Sequence, residues 1–281
     1  MTDLHAAAKR CLEAIDPADK LRLTHAAWQA YLAGELRADP AAPPPDPIAA
    51  PGRPEKPRLV DARQVPQRRL GSEQGRAALV HAVAHIEFNA INLAWDAVYR
   101  FRGKPDAYYR DWASCANDEA RHFAMLAGRL AELGHAYGDF DAHDGLWAMA
   151  ERTAGHDTAR MALVPRVLEA RGLDVTPGMI GRLRRLGDAR TAAILEVILR
   201  EEVAHVAAGT RWYRHCCERD GLEPVATFFD LLRDYLGTSL RGPFNLPARR
   251  EAGFVEAELD RLAMLADPSS SMIGHSGLSS S

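Results

Sequence analysis

What the 281-residue chain lacks narrows its class first. It has four cysteines, Cys11, Cys115, Cys216 and Cys217, and no two stand in C-x-x-C spacing. That argues against a disulfide framework and against a thiolate-bound metal module; reduced thiols in a cytosolic protein fit best. No run of 18 consecutive apolar residues occurs, and the opening MTDLHAAAKR has no long apolar stretch after a basic start. The expectation is a cytoplasmic chain, neither secreted nor membrane-spanning. A basic excess is missing too: the formal net charge is −3 and the pI about 6.4. There is then no global electrostatic footprint for nucleic acid or an anionic membrane. The local candidates, RLRR at 182–185 and Arg249-Arg250, read as solvated helix faces.

What is present is a chain of 47% hydrophobic and 26% charged residues, well able to bury a core. Residues 3–15 and 18–37 read as two short helices, the second entered through Asp16-Pro17. They form an N-terminal helical hairpin over 1–38, in which His5 and His25 read as surface histidines. Residues 39–68 are dense in proline (AAPPPDPIAAPGRPEKP), which cannot continue a helix, and make a linker or a strap. Helices are expected over 72–101, with Ser72 as N-cap, over 106–133, over 145–171 and over 178–217. Pro165 must kink or divide the third, which should end near Gly172. Residues 69–222 thus read as a four-helix bundle. A C-terminal helical extension follows over 223–267, with helices at 225–237 and 251–266. The low-complexity end, 268–281, reads as a disordered tail.

The chemistry sits on the bundle. Glu119 with His122 and Glu202 with His205 are both Glu-x-x-His, a spacing that stacks the two side chains on one helix face. A third copy, Glu132 with His135, straddles Gly134 and reads as a helix end. The first two belong to a repeat: Glu87 lies 32 residues before Glu119, and Glu169 lies 33 before Glu202. Each half is then one helix bearing a Glu, followed by one bearing Glu-x-x-His. This is the ligand pattern of di-iron and di-manganese carboxylate bundles. Glu87 falls in the apolar stripe of Leu79, Val83, Ala90, Ile91, Ala94 and Val98, the wrong place for an unpaired carboxylate. Four carboxylates balance two divalent cations, whereas four buried unpaired ones would each cost several kcal/mol, of the order of the effective penalty for a buried ion. Glu169, beside Pro165 and close to a helix end, also reads as a solvated acid. Glu201, rotated about 100° from Glu202, reads as solvated or as support for a ligand.

At RLGSEQGRAALVHAVAHIEFNAINLAWDAVYRF, NDEARHFAMLAGRL, LEARGLDVTPGM and EEVAHVAAGTRWY the sequence resembles the ferritin-like superfamily. It more closely resembles a bacterial family within it that is catalogued as a domain of unknown function. The resemblance extends into RGPFNLPARREAGF and covers roughly residues 53–265. It implies an all-α, ferritin-like four-helix bundle with a buried dinuclear site. The ligands implied are Glu87, Glu119, His122, Glu169, Glu202 and His205, with no further catalytic or cofactor-binding residue. Two iron ions are the expected cofactor, with manganese or a mixed iron–manganese pair as the variants. The expected function is an oxygen-activating oxidoreductase, such as a hydroxylase. Its partners would be dioxygen or peroxide, a small substrate and an electron donor, with no membrane. Nucleic acid is disfavoured, although a modified tRNA stays open as a substrate, and so does a homo-oligomer. The alternatives are metal handling by ferroxidase or peroxide-detoxifying chemistry, and a partner-binding protein with structural metals. The absence of C-x-x-C pairs argues against an attached rubredoxin-like module.

Overall fold

A computed structural model describes residues 2–66, 69–237, 240 and 242–266, and among these the protein is all-α. The only strand pairing among them is two residues long and parallel, Thr2–Asp3 against Leu36–Arg37. Contacts divide the chain into two units, residues 1–157 with 180–201, and 158–179 with 202–281. The tail expected over 268–281 lies outside the described residues.

The first unit is built on α3, Glu73–Arg100, which packs most extensively on α4, Asp106–Glu132. Ser72 Oγ accepts from Gly75 N–H and starts α3 where its sequence puts the cap. From Glu87 to Tyr99 every residue of α3 is buried, so it is a helix enclosed on all sides rather than an amphipathic one. Its composition alone would let it cross a membrane, but 78% of its most apolar stretch is buried against the protein. Several of the polar groups it carries inward are answered, although Asn92 Nδ2 has no hydrogen-bond partner among the described residues. Trp95 Nε1 donates to Thr24 Oγ1 at 2.9 Å, and Asn92 Oδ1 accepts from Lys20 Nζ at 2.7 Å. Asp96 takes the guanidinium fork of Arg100, as close as 2.7 Å.

Two short helices, α1 over Leu4–Glu13 and α2 over Pro17–Leu32, lie on α3 and α4 respectively. Asp3 and Asp16 cap them with their carboxylates. His5 is not at the surface: it is buried, its Nδ1 3.0 Å from the carbonyl of Val98 and its ring edge-on to Tyr109. His25 is exposed. The proline-rich segment is pinned along its length. Gly52 N–H donates to Leu12 O, Ala49 O accepts from Trp147 Nε1, and Val60 N–H donates to Ala142 O. α4 ends in a left-handed Gly134 (φ 74°), and Glu132 pairs with Arg129 and Arg190. The connection leads to α5, Gly145–Arg152.

The expected third helix is broken twice. α6 covers Asp157–Leu163, and residues Val164–Glu169 then wind as a π-helical segment. Pro165 has no N–H to give the regular ladder, and a π turn is one way to absorb that loss. The end expected near Gly172 does not occur. α7 runs over Ala170–Arg185, straight through Pro177, and α8 over Ala189–Asp220, with the turn between them at a left-handed Gly187 (φ 78°). Pro177 orphans the carbonyl of Leu173 four residues back, and Asn245 Nδ2 supplies the missing donor at 3.0 Å. Asp174 is held from the same side by a buried bidentate pair with Arg249, at 3.0 and 2.7 Å. Among the described residues the C-terminal extension has three helices: α9 over Pro224–Leu236, α10 over Leu246–Glu251 and α11 over Glu256–Ala266. The single helix expected over 251–266 begins only after a break that contains Gly253 at φ 88°.

Candidate metal centre

Glu87 projects from the enclosed part of α3, and Glu119 and His122 from one face of α4. All three are buried, with 4, 2 and 0% of their surface exposed. His122 Nδ1 lies 3.1 Å from Glu87 Oε2 and 3.4 Å from Glu119 Oε2. Its other nitrogen, Nε2, lies 2.7 Å from Glu201 Oε2, which also takes Arg121 Nη2 at 2.6 Å. Nε2–H donating to Glu201 orients the ring and turns Nδ1 toward the two carboxylates. Such a carboxylate–histidine relay is what metal-ligating imidazoles use to fix their tautomer. Sequence spacing pointed to the ligand faces but could not supply this partner, because it stands on another helix; Asp118, next to Glu119, pairs instead with Arg121 at 3.1 Å.

Glu87, Glu119, His122 and Glu202 form one buried group, each offering a ligand atom within 4.8 Å of the others. Glu202 follows Glu201 directly on α8. His205 is buried, and its Nδ1 lies 3.4 Å from Glu202 Oε1, the same spacing that relates His122 to Glu119. The two Glu-x-x-His motifs thus present the same nitrogen beside the same kind of oxygen. Glu169, the last residue of the π-helical segment, is half-buried and stands outside the group of four.

Electrostatics test whether a cation fits. Burial pulls the His122 imidazole down, but the Glu119 and Glu87 carboxylates outweigh it and leave the ring at about 11. The same pull acts on a metal: three carboxylates and an imidazole are hard and borderline donors suited to iron, manganese or zinc, and carboxylates buried this deeply need compensating positive charge. The residues fit a divalent ion.

The family model described as "Protein of unknown function (DUF455)" matches residues 13–260. The chain therefore belongs to that family. It is also 41% identical over 271 residues to an uncharacterized protein of Haemophilus influenzae, covering 92% of this chain and 93% of that one. No solved structure matches the chain significantly.

Proposed function

We propose that the protein is a ferritin-like, dinuclear-metal oxidoreductase that activates dioxygen. The reading rests on one observation: four buried ligand side chains, three acidic and one imidazole, converge with ligand atoms within 4.8 Å. In this reading Glu87, Glu119 and His122 would hold one ion and Glu169, Glu202 and His205 the other. Two redox-active ions side by side supply two electrons to oxygen at one place. The chain's own residues then do three things. The carboxylates would neutralise the ions, the Glu201 relay would hold His122 in its ligating tautomer, and the burial of Glu87, Glu119, His122 and Glu202 would keep bulk water from them.

The test begins with metal analysis of the purified full-length protein. Anaerobic loading with Fe(II) and exposure to oxygen follow, watched by absorption. Two irons per chain and an oxygen-dependent spectral change are expected. Glu202→Ala should lose the second ion and most of the oxygen response; a variant that kept two ions per chain would defeat the ligand assignment. Oxygen consumption that yields only ferric iron, without oxidation of any organic co-substrate, would move the reading to ferroxidase chemistry.

A further inference from the structure

Glu169 is carried by the π-helical segment Val164–Glu169, and that segment is held at two successive residues, Pro165 and Arg166. Pro165 lies against Gly209 of α8: a methyl group at 209 would collide with both Cβ and Cγ of Pro165. Arg166 is fully buried, with Nη2 2.6 Å from Glu258 Oε1 and Nε 3.3 Å from Thr210 Oγ1. Its guanidinium lies 4.6, 4.3 and 4.3 Å from the ring centres of Tyr213, Phe228 and Phe254. Its carbonyl accepts from Arg249 Nη1 at 3.3 Å, and Arg249 is itself anchored on Asp174.

This is more fixing than a core segment needs. A buried ion pair rarely stabilises better than well-packed apolar residues of the same volume, and its best-attested use is to specify one arrangement over others. Here the pair joins α11 to the residue three before Glu169. Slipping the π-helical segment by one residue into a regular ladder would rotate Glu169 by about 100° and break both the pair and the Pro165 contact. We propose that Arg166 is a positioning residue: paired with Glu258 and together with the Pro165–Gly209 contact, it holds the π-helical register that presents Glu169 to the second metal ion. The C-terminal helices thereby acquire a role in metal loading. The inference rests on the dinuclear reading above.

The experiment is anaerobic titration of the full chain with Co(II), reading stoichiometry and the dissociation constant of each ion, with circular dichroism and thermal melts to establish folding. The unaltered protein should bind two ions. Arg166→Met and Gly209→Ala should keep the first at its original affinity and weaken the second 10–100-fold, the usual consequence of losing a ligand's supporting partner. Glu169→Ala should weaken the same ion. Leu232→Ala, a buried truncation on α9 outside Val164–Glu169, should lower the melting temperature and leave both affinities unchanged. Folded variants that bind both ions as the parent does would overturn the inference, as would equal weakening by Leu232→Ala. If Arg166→Met cannot fold because Glu258 is left unpaired, Gly209→Ala decides alone, since it adds one methyl and moves no charge. Fewer than two Co(II) on the unaltered chain would instead remove the dinuclear reading itself, a result distinct from either.

Discussion

Replacing Glu201 tests the metal centre without touching a proposed ligand. Its Oε2 lies 2.7 Å from His122 Nε2, a charge-assisted distance, and is braced by Arg121. Taking away such a partner frees the imidazole to rotate and to lose its ligating tautomer, which costs about 10–100-fold in metal affinity. In free energy that is roughly 1.4–2.7 kcal/mol. Glu201→Ala should show this loss for one ion of the pair. Glu201→Gln should lose less, because an amide oxygen still accepts from Nε2–H. Arg121→Ala should lose least, because that guanidinium is itself 44% exposed and acts only through Glu201. The assay is competition for Co(II) against a chromophoric chelator at neutral pH, with folding checked by circular dichroism. The ordering matters as much as the size. Parent affinity in Glu201→Ala, or a greater loss in Arg121→Ala than in Glu201→Ala, would show that His122 is not oriented through Nε2 to ligate through Nδ1.

Three further outcomes are expected. Burial depresses the His81 imidazole to about 4, and its Nε2 accepts from Gly138 N–H at 2.9 Å. Because the unfolded chain takes up the proton first, stability falls as pH drops from 6.5 toward 4. The loss is up to about 3 kcal/mol at 1.4 kcal/mol per pH unit, read from urea midpoints, and His81→Gln should flatten that slope. Lys20→Met removes the donor to the Cys11 carbonyl and the Asn92 amide oxygen, and one of two donors to the Leu12 carbonyl, and should destabilise by about 1–3 kcal/mol; a neutral effect on the melting curve would contradict the bonding described. Gly52→Ala would drive a methyl group into the Glu13 and Ala14 carbonyls and should cost about 1–3 kcal/mol by denaturant titration, with Co(II) affinities unchanged.

The helices whose ends are written in local chemistry were readable in advance. α3 begins at the Ser72 cap, and α4 stops at Gly134, because capping and left-handed backbone are properties of a few adjacent residues. The helix faces that carry the acids and imidazoles were readable for the same reason: three-residue spacing is a local fact, and Glu87, Glu119, His122 and Glu202 lie together in one buried group. What escaped depends on partners far along the chain. A helix is expected to start at 178 rather than to run through Pro177, and the Asn245 that satisfies Leu173 is 72 residues away. His5 looked like a surface residue until Val98 and Tyr109 are seen around it. Glu201 could be set apart from Glu202 by its angle on the helix, but its bond to His122 spans 79 positions of sequence. Pro165 announced a distortion without its form; the π winding and the close approach of Pro165 to Gly209 are encoded by no local pattern.

The proline-rich strap is composed like a tether, yet its backbone amides at Gly52 and Val60 are donors to fixed carbonyls. In deuterated buffer those two protons should therefore exchange on the slow timescale of the surrounding helices, not within the dead time expected of an open connector. Arg53 and Lys56 each precede a proline, so trypsin finds poor targets there as well. A limited digest should therefore show no cut after Arg53 or Lys56.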